Sequence, residues 1–488
     1  MLKRPVATLL ALFVGLASLV LLEYARIGVT FDQRWVDDTP VTTLSRVDAT
    51  GPHVVVAHGF AGSREMMQAY GLTLAQAGYR VHMFDFEGHG AHPLPMSGDV
   101  TQIEGTTQRL MNQTLAVVQD VAEEGKPVAL LGHSMATDVL IRVAEVTEKT
   151  GPLVLLSAFS QAVTKDHPRD MLLISGQWEP PLRAFGLSAA RMVDPMAREG
   201  DVVSSGNTIR SAMVAPFTEH VAILYSRAGR DEALSWLNRA FGRTGTVPIL
   251  PTGWAFLALM AAITLLSAPV ARLVTKTPTE QPKQQISSKQ YALILSVPAI
   301  MTPLLAAPLD IQFLPVLVAD YLAVHLGIYG ILTMVMLRLV TGQIGFGTLR
   351  LAGMVGLLIW GIGVFGFALD RYGANFFPVP ERAAIIAALA VGAIPFMVAD
   401  AVLAWKQSVW RRIASRFALL VSLGIAVALD LEGLFFLIMI APVIVLFFLV
   451  HGTMGRAFGK VTGPLTTGLA LGLILAWALG VSFPMFSA

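Results

Sequence analysis

The chain has 488 residues, 54% of them hydrophobic and only 14% charged, with a formal net charge of +2 and a mean hydropathy of +0.63. Those values lie above the apolar share and below the charged share of soluble globular domains, which excludes a purely soluble protein. The sequence holds no cysteine, excluding disulfides, thiolate metal sites and a cysteine nucleophile, and no basic stripe points to a nucleic-acid partner.

Residues 6–22 are 17 uncharged, mostly aliphatic positions behind Lys3 and Arg4, close to the ~20 residues that cross a bilayer core. They read as a spanning helix or a signal peptide. An uncleaved anchor is favoured, because Glu23-Tyr24-Ala25-Arg26 offers no small-x-small cleavage site. Mixed polar and apolar sequence follows over 27–247, and nearly continuous apolar blocks over 248–488. This divides the chain into an anchor (1–26), a soluble domain (27–247) and a transmembrane domain of about eight helices (248–488).

Within the soluble part, residues 53–59 read His-Val-Val-Val-Ala-His-Gly, a β-branched run that predicts a strand. A helix-period segment follows over 63–77, and a second strand over 80–86. Strands at 127–131, 153–157, 171–175 and 209–216 alternate with further segments, including a helix over 135–149. The fold class predicted is α/β, a mainly parallel sheet with helices on both faces.

Gly132-His133-Ser134-Met135-Ala136 lies between the strand 127–131 and the helix that follows it. Small residues there let the backbone turn sharply and stand the serine hydroxyl clear of the sheet, so Ser134 is the candidate nucleophile. Ala136 replaces the usual glycine at the fifth position. An acyl-transfer serine needs oxyanion donors, and His58-Gly59-Phe60-Ala61-Gly62 follows the first strong strand, where the amide of Phe60 can join that of Met135. His220 sits just after the last strand as candidate base. Glu179, in Gly176-Gln177-Trp178-Glu179 after the strand 171–175, is the candidate acid, with Asp194 as competitor. The chain order is serine, acid, histidine.

Over roughly residues 50–242 the sequence resembles the α/β-hydrolase superfamily, most closely its monoglyceride-lipase-like and serine-aminopeptidase-like branch. Three pieces carry the resemblance: His58 to Ser63, Gly132 to Met135, and Asp85 to Gly90, which reads Asp-Phe-Glu-Gly-His-Gly. It implies that Ser134 attacks an acyl carbon, His220 moves the proton, Glu179 holds the imidazole, and the Phe60 and Met135 amides bind the oxyanion. Asp85 and His89 are expected to stabilise the turn after their strand. Lipase-like relatives insert a helical cap where only Ala158 to Arg169 stand here, so the site is expected to be lidless by that route, with 180–208 as partial cover.

Eight apolar blocks follow, at about 249–271, 291–309, 312–337, 351–369, 383–405, 416–430, 433–450 and 464–484, making nine spans with the anchor. With the N-terminus inside, the inner segments carry fourteen Lys and Arg residues and the short outer loops only Arg371 and Arg382. That bias places the soluble domain outside the cytoplasm of a bacterial-type cell membrane. Asp320 and Asp400 close similar segments 80 residues apart, either as functional intramembrane carboxylates or as hydrogen-bonded core residues near helix ends. Gly361, Gly363 and Gly366 match a dinucleotide spacing but lie inside a span with no preceding strand, and read as helix packing, as do Gly468 and Gly472.

The function expected is a membrane-embedded serine hydrolase that cleaves an ester, thioester or amide of a lipid-like or acylated substrate, with no cofactor and no metal. The alternatives are an acyltransferase, and a transport or sensor protein whose hydrolase-like domain binds without turnover.

Overall fold

The computed structural model describes residues 3–99, 103–274, 285–309, 313, 314, 316 and 318–486. It divides into two compact units. One contains residues 16–258 with the short segments 369–375 and 484–488, and the other contains 1–15, 259–368 and 376–483.

The first unit is built on a nine-stranded sheet: β1 (Val29–Val36), β2 (Thr39–Arg46), β3 (His53–Ala57), β4 (Arg80–Phe84), β5 (Val128–His133), β6 (Thr150–Leu156), β7 (Asp170–Gly176), β8 (Val202–Ser205) and β9 (Thr208–Ala215). Their order is β1-β2-β4-β3-β5-β6-β7-β9-β8. The six from β4 to β9 in that order run parallel, and β1, β2 and β8 add antiparallel edges. Side-chain alternation explains the two layers. Val55, Leu130, Leu155 and Leu173 pack with Val117 and Leu140 of helices Gln108–Val121 and Met135–Val146 on one face. Val54, Leu131, Val154 and Ile174 pack with Leu74 and Trp236 of helices Gln68–Gln76 and Arg227–Ala240 on the other.

No helix stands between β6 and β7. Residues 180–208 differ from the partial cover expected of them. Helix Pro180–Arg191 buries Gly186, Ala189 and Ala190, with Gly186 against Leu173 and Ala212 of the sheet, so it is a crossover layer rather than a lid.

Among the described residues, nine helices are long and apolar enough to cross a membrane: Pro5–Tyr24, Thr252–Val274, Ser288–Ala306, Ala319–Thr341, Leu351–Tyr372, Pro380–Leu403, Val409–Leu429, Leu437–Thr462 and Pro464–Ser482. We number them spans 1 to 9. Spans 7 and 8 reach further than their apolar blocks, because backbone hydrogen bonding continues past Arg411, Arg412, Arg416, Arg456 and Lys460. Spans 6 and 9 pack closely and antiparallel, Gly468 against Val398, Gly472 against Ile394 and Gly480 against Ile386. Gly361 packs against Ile474 of span 9, whereas Gly366 meets Phe376 in the loop that follows span 5, so within the glycine-rich segment it is Gly361 that serves helix contact.

Candidate active site

The parallel strands deliver the chemistry at their C-terminal ends. Ser134 follows β5 with φ 54 and ψ −119, and helix Met135–Val146 starts on the next residue. That turn leaves no room for side chains behind it: a Cβ on Gly132 would stand 2.5 Å from Leu140 Cδ1, while Ala136 fits fully buried. The Ser134 hydroxyl donates to His220 Nε2 at 2.9 Å, and His220 Nδ1 donates to Glu179 Oε1 at 2.6 Å. Asp194 stands elsewhere, exposed in a turn where it accepts from the Met196 amide.

Glu179 is buried, with burial pushing its carboxyl pKa up. Hydrogen bonds from His220, from the Ser157 hydroxyl (2.7 Å) and from the Gly176 amide (2.7 Å) outweigh that and hold it below the usual carboxylate value. Ser157 follows β6, and nothing in its sequence neighbours signals the role. A second contributor that the sequence does not reveal is His133, whose Nε2–H donates to the His220 carbonyl at 2.8 Å. Burial, then the neighbouring His220, push its pKa down to about 4, so at neutral pH it supports the backbone of His220 without adding charge beside it.

The loop Gly59–Gly62 lies against Ser134: a Cβ on Gly59 would stand 3.0 Å from both Ser134 Cβ and His133 Nδ1. This approach brings Gly59 against the backbone of His133 and the side chain of Ser134. Met135, as the first helical residue, has an amide with no intrahelical acceptor. Buried His58 anchors the loop, its Nδ1–H donating to the Gly59 carbonyl (2.8 Å) and its Nε2 accepting the Phe86 amide (3.1 Å). Asp85 accepts the Arg64 and Ala91 amides at 2.7 and 2.9 Å, tying that loop to the turn after β4. His89 Nδ1 reaches the Glu87 carbonyl of the same turn.

Ala61, Ser134, Ser157 and Phe217 make up four of the eight non-glycine residues with positive φ among those described. Their gathering at one rim marks a backbone held in strained conformations where chemistry is placed. Phe159, Trp178, Phe217 and Val221, on the loops after β6, β7 and β9, each expose half or more of their surface. They form an apolar collar. Among the described residues no group of three or more His, Asp or Glu is arranged to hold a metal.

Asp320 and Asp400 are not brought together. Spans 4 and 6 run parallel, Ala323 against Gly392 and Gly330 against Phe396. Asp320 therefore lies in the first turn of one and Asp400 in the last turn of the other. Asp320 accepts the Leu314 amide at 3.1 and 3.2 Å, and Asp400 meets Ser415 Oγ at 3.5 Å and an Arg416 guanidinium nitrogen at 3.4 Å. Their similar sequence contexts differ in conformation. Asp400 ends a continuous helix, whereas Val318 before Asp320 is left-handed and non-helical, and Pro315 lies outside the described residues. His325 bridges Tyr321 and Ser422.

Two consequences of this geometry are measurable. Gly59→Ala should lower kcat by about 10²–10³-fold with little change in KM, the loss typical of a displaced oxyanion donor; steady-state kinetics on the folded variant checks it. His133 gains a proton near its ordinary value of 6.5 when unfolded but only near 4 when folded. The unfolded chain binds more protons between those values, so stability rises with pH across that window. His133→Gln should flatten the thermal-unfolding profile of the sheet-bearing unit there, without making it level, because buried His82 is pushed down in the same sense.

Comparison with known protein families matches residues 49–203 to the family described as Serine aminopeptidase, S33. Solved structures with similarity include an epoxide hydrolase from Vigna radiata (22% identity, 27% of this chain and 39% of that one, TM-score 0.23). A dienelactone hydrolase from Anabaena variabilis shows 18% identity over 44% of this chain and 99% of that one, with a TM-score of 0.33. A predicted CIB-like hydrolase from Thermoplasma acidophilum shows 14% identity over 43% and 100%, with a TM-score of 0.34. The chain thus spans about two-fifths of the epoxide hydrolase it matches. No curated protein matched. With its parallel sheet, its strand-turn-helix serine and the match over residues 49–203, the first unit has an α/β-hydrolase fold and is similar over that stretch to the serine aminopeptidase S33 family, on a chain whose described residues include nine helices long and apolar enough to cross a membrane.

Proposed function

We propose that this chain is a multi-pass membrane serine hydrolase that cleaves an ester, thioester or amide through an acyl-enzyme on Ser134. The observation that carries this reading is the continuous hydrogen-bond chain from Ser134 Oγ through His220 to Glu179. As Ser134 Oγ attacks the acyl carbon, its proton passes to His220 Nε2, and the imidazolium is held by ionised Glu179. The amides of Phe60 and Met135 receive the oxyanion. His220 then protonates the leaving group, and water enters by the reverse steps to release the acid.

A lipid-like or acylated substrate fits the apolar collar of Phe159, Trp178, Phe217 and Val221 and the lack of a helix between β6 and β7. The excess of Lys and Arg at the opposite span ends supports an extracytoplasmic hydrolase unit. Nine crossings put the segment between spans 5 and 6, and the tail after span 9, on the side of the segment between spans 1 and 2. Residues 369–375 and 484–486 are part of the hydrolase unit, Asn375 bonding Ser63 and Met485 bonding Gly88 and Met96, which agrees with that parity.

Rapid mixing of the detergent-solubilised protein with p-nitrophenyl esters of increasing acyl length tests the proposal. The expected result is a nitrophenolate burst whose amplitude equals the enzyme concentration, whose rate rises with acyl length, and which vanishes in Ser134→Ala. Folded protein that releases nitrophenolate from no ester, or releases it equally in Ser134→Ala, would contradict it.

A further inference from the structure

The helical unit contains a cavity of about 520 Å³ that the hydrolase chemistry does not use. It is lined where span 2 ends, span 6 ends, span 7 begins and span 8 ends. Arg272, Lys406, Arg412, Arg416, Arg456 and Lys460 all line it, against the single carboxylate of Asp400. That carboxylate is already engaged by Arg416 and Ser415.

Four of these cations, Arg272, Arg412, Arg456 and Lys460, have no carboxylate in ion-pair contact among the described residues. Arg412 donates to the Gln407 carbonyl and Arg456 to the Thr453 hydroxyl, both neutral acceptors. Arg416 Nε is buried with no hydrogen-bond partner. Arg456 also stands within the fields of Arg412 and Arg416. Like charges gathered at the end of an apolar bundle repel one another unless an anion joins them. Below the charges the wall turns apolar: Leu471 is buried, while Leu265 lines the same cavity and is 61% exposed on the outer surface of span 2. The cavity is therefore cationic at one end and open toward the hydrocarbon side of the bundle.

We propose that this cavity binds the phosphate ester of an anionic phospholipid, with guanidinium groups holding the phosphate oxygens and acyl chains leaving past Leu265. The inference rests on the membrane reading of the spans, and it is independent of catalysis at Ser134. Phosphate bound between span ends in this way is a recognised use of basic pockets among transmembrane helices.

The test is native mass spectrometry of the full chain in detergent, titrated with phosphatidylglycerol, with phosphatidylcholine, and with glycerol 3-phosphate as competitor. The expected result is preferential retention of phosphatidylglycerol, reduced on the order of tenfold or more in Arg412→Gln/Arg456→Gln and unchanged in Arg338→Gln at the end of span 4. Lys460→Gln, near the end of its helix, is the second variant should the double one fail to elute as a folded monodisperse species; it should weaken the same retention. Equal retention of both lipids, or retention unaltered in the cavity variants, would overturn the proposal. Displacement of phosphatidylglycerol by equimolar glycerol 3-phosphate would assign the site to a soluble phosphate ester and overturn the lipid assignment.

Discussion

Ser134→Ala is expected to lower turnover by about 10⁴–10⁶-fold while leaving the fold and substrate binding intact. The magnitude is that of removing the nucleophile from an assembled serine triad, where a residual rate survives through the oxyanion donors and binding alone. Ser134 is strained and costs stability, with φ 54 in a non-glycine residue. Alanine at this position loses the bond to His220 but fills no new space, so thermal stability should hold. His220→Ala should match the loss rather than add to it, since the two side chains act as a unit. Equal kcat losses in the single and double variants would check that coupling.

Glu179→Gln is expected to cost about 10⁴-fold in kcat, the scale on which a triad carboxylate acts through tautomer and charge. The carboxylate accepts three hydrogen bonds, from His220 Nδ1, Ser157 Oγ and the Gly176 amide. An amide side chain replaces one acceptor oxygen with a donor, so either His220 Nδ1, which faces Oε1, or the Ser157 hydroxyl and Gly176 amide, which share Oε2, lose their acceptor, and the imidazolium formed during attack loses its counter-charge. Asp194→Asn should leave kcat unchanged, because Asp194 is an exposed turn residue bonded to the Met196 amide. The same carboxylate sets an acid limit. Its pKa is held below the ordinary value by those bonds, so its contribution to stability is present above about 4.5 and is lost as pH falls through the lower folded value. The gap in unfolding temperature between wild type and Glu179→Gln should close in that acid range.

The buried strands are legible in the sequence because each is a short β-branched or aliphatic run with both neighbours in alternation, as in His53–Ala57 and Val128–His133. The hairpin of β1 and β2 is not. Its outer strand reads Thr-Phe-Asp-Gln-Arg-Trp within Val29–Val36 and leaves much of its surface exposed, so its pattern carries no core signal until β2 pairs with β4. Helix Gln108–Val121 escapes for a related reason: polar residues interrupt its apolar ones throughout, and the stripe of Leu110, Thr114, Val117 and Val121 gains meaning only against the sheet. The positions of Ser134, Glu179 and His220 are readable from chain order around strand ends. The contributions of Ser157 and His133 are not, since each depends on a contact made across neighbouring loops, 22 and 87 residues apart in sequence. Asp320 and Asp400 illustrate the opposite case, where matching sequence contexts give one residue at a helix start and one at a helix end.

The most direct test of the central claim is reaction of the detergent-solubilised full chain with a fluorophosphonate probe, followed by peptide mapping. The account predicts stoichiometric labelling on the peptide containing Ser134, abolished in Ser134→Ala and in His220→Ala and weakened as the pH is lowered. Folded wild-type protein that never labels, or labelling that survives in Ser134→Ala, would contradict an activated serine at this position.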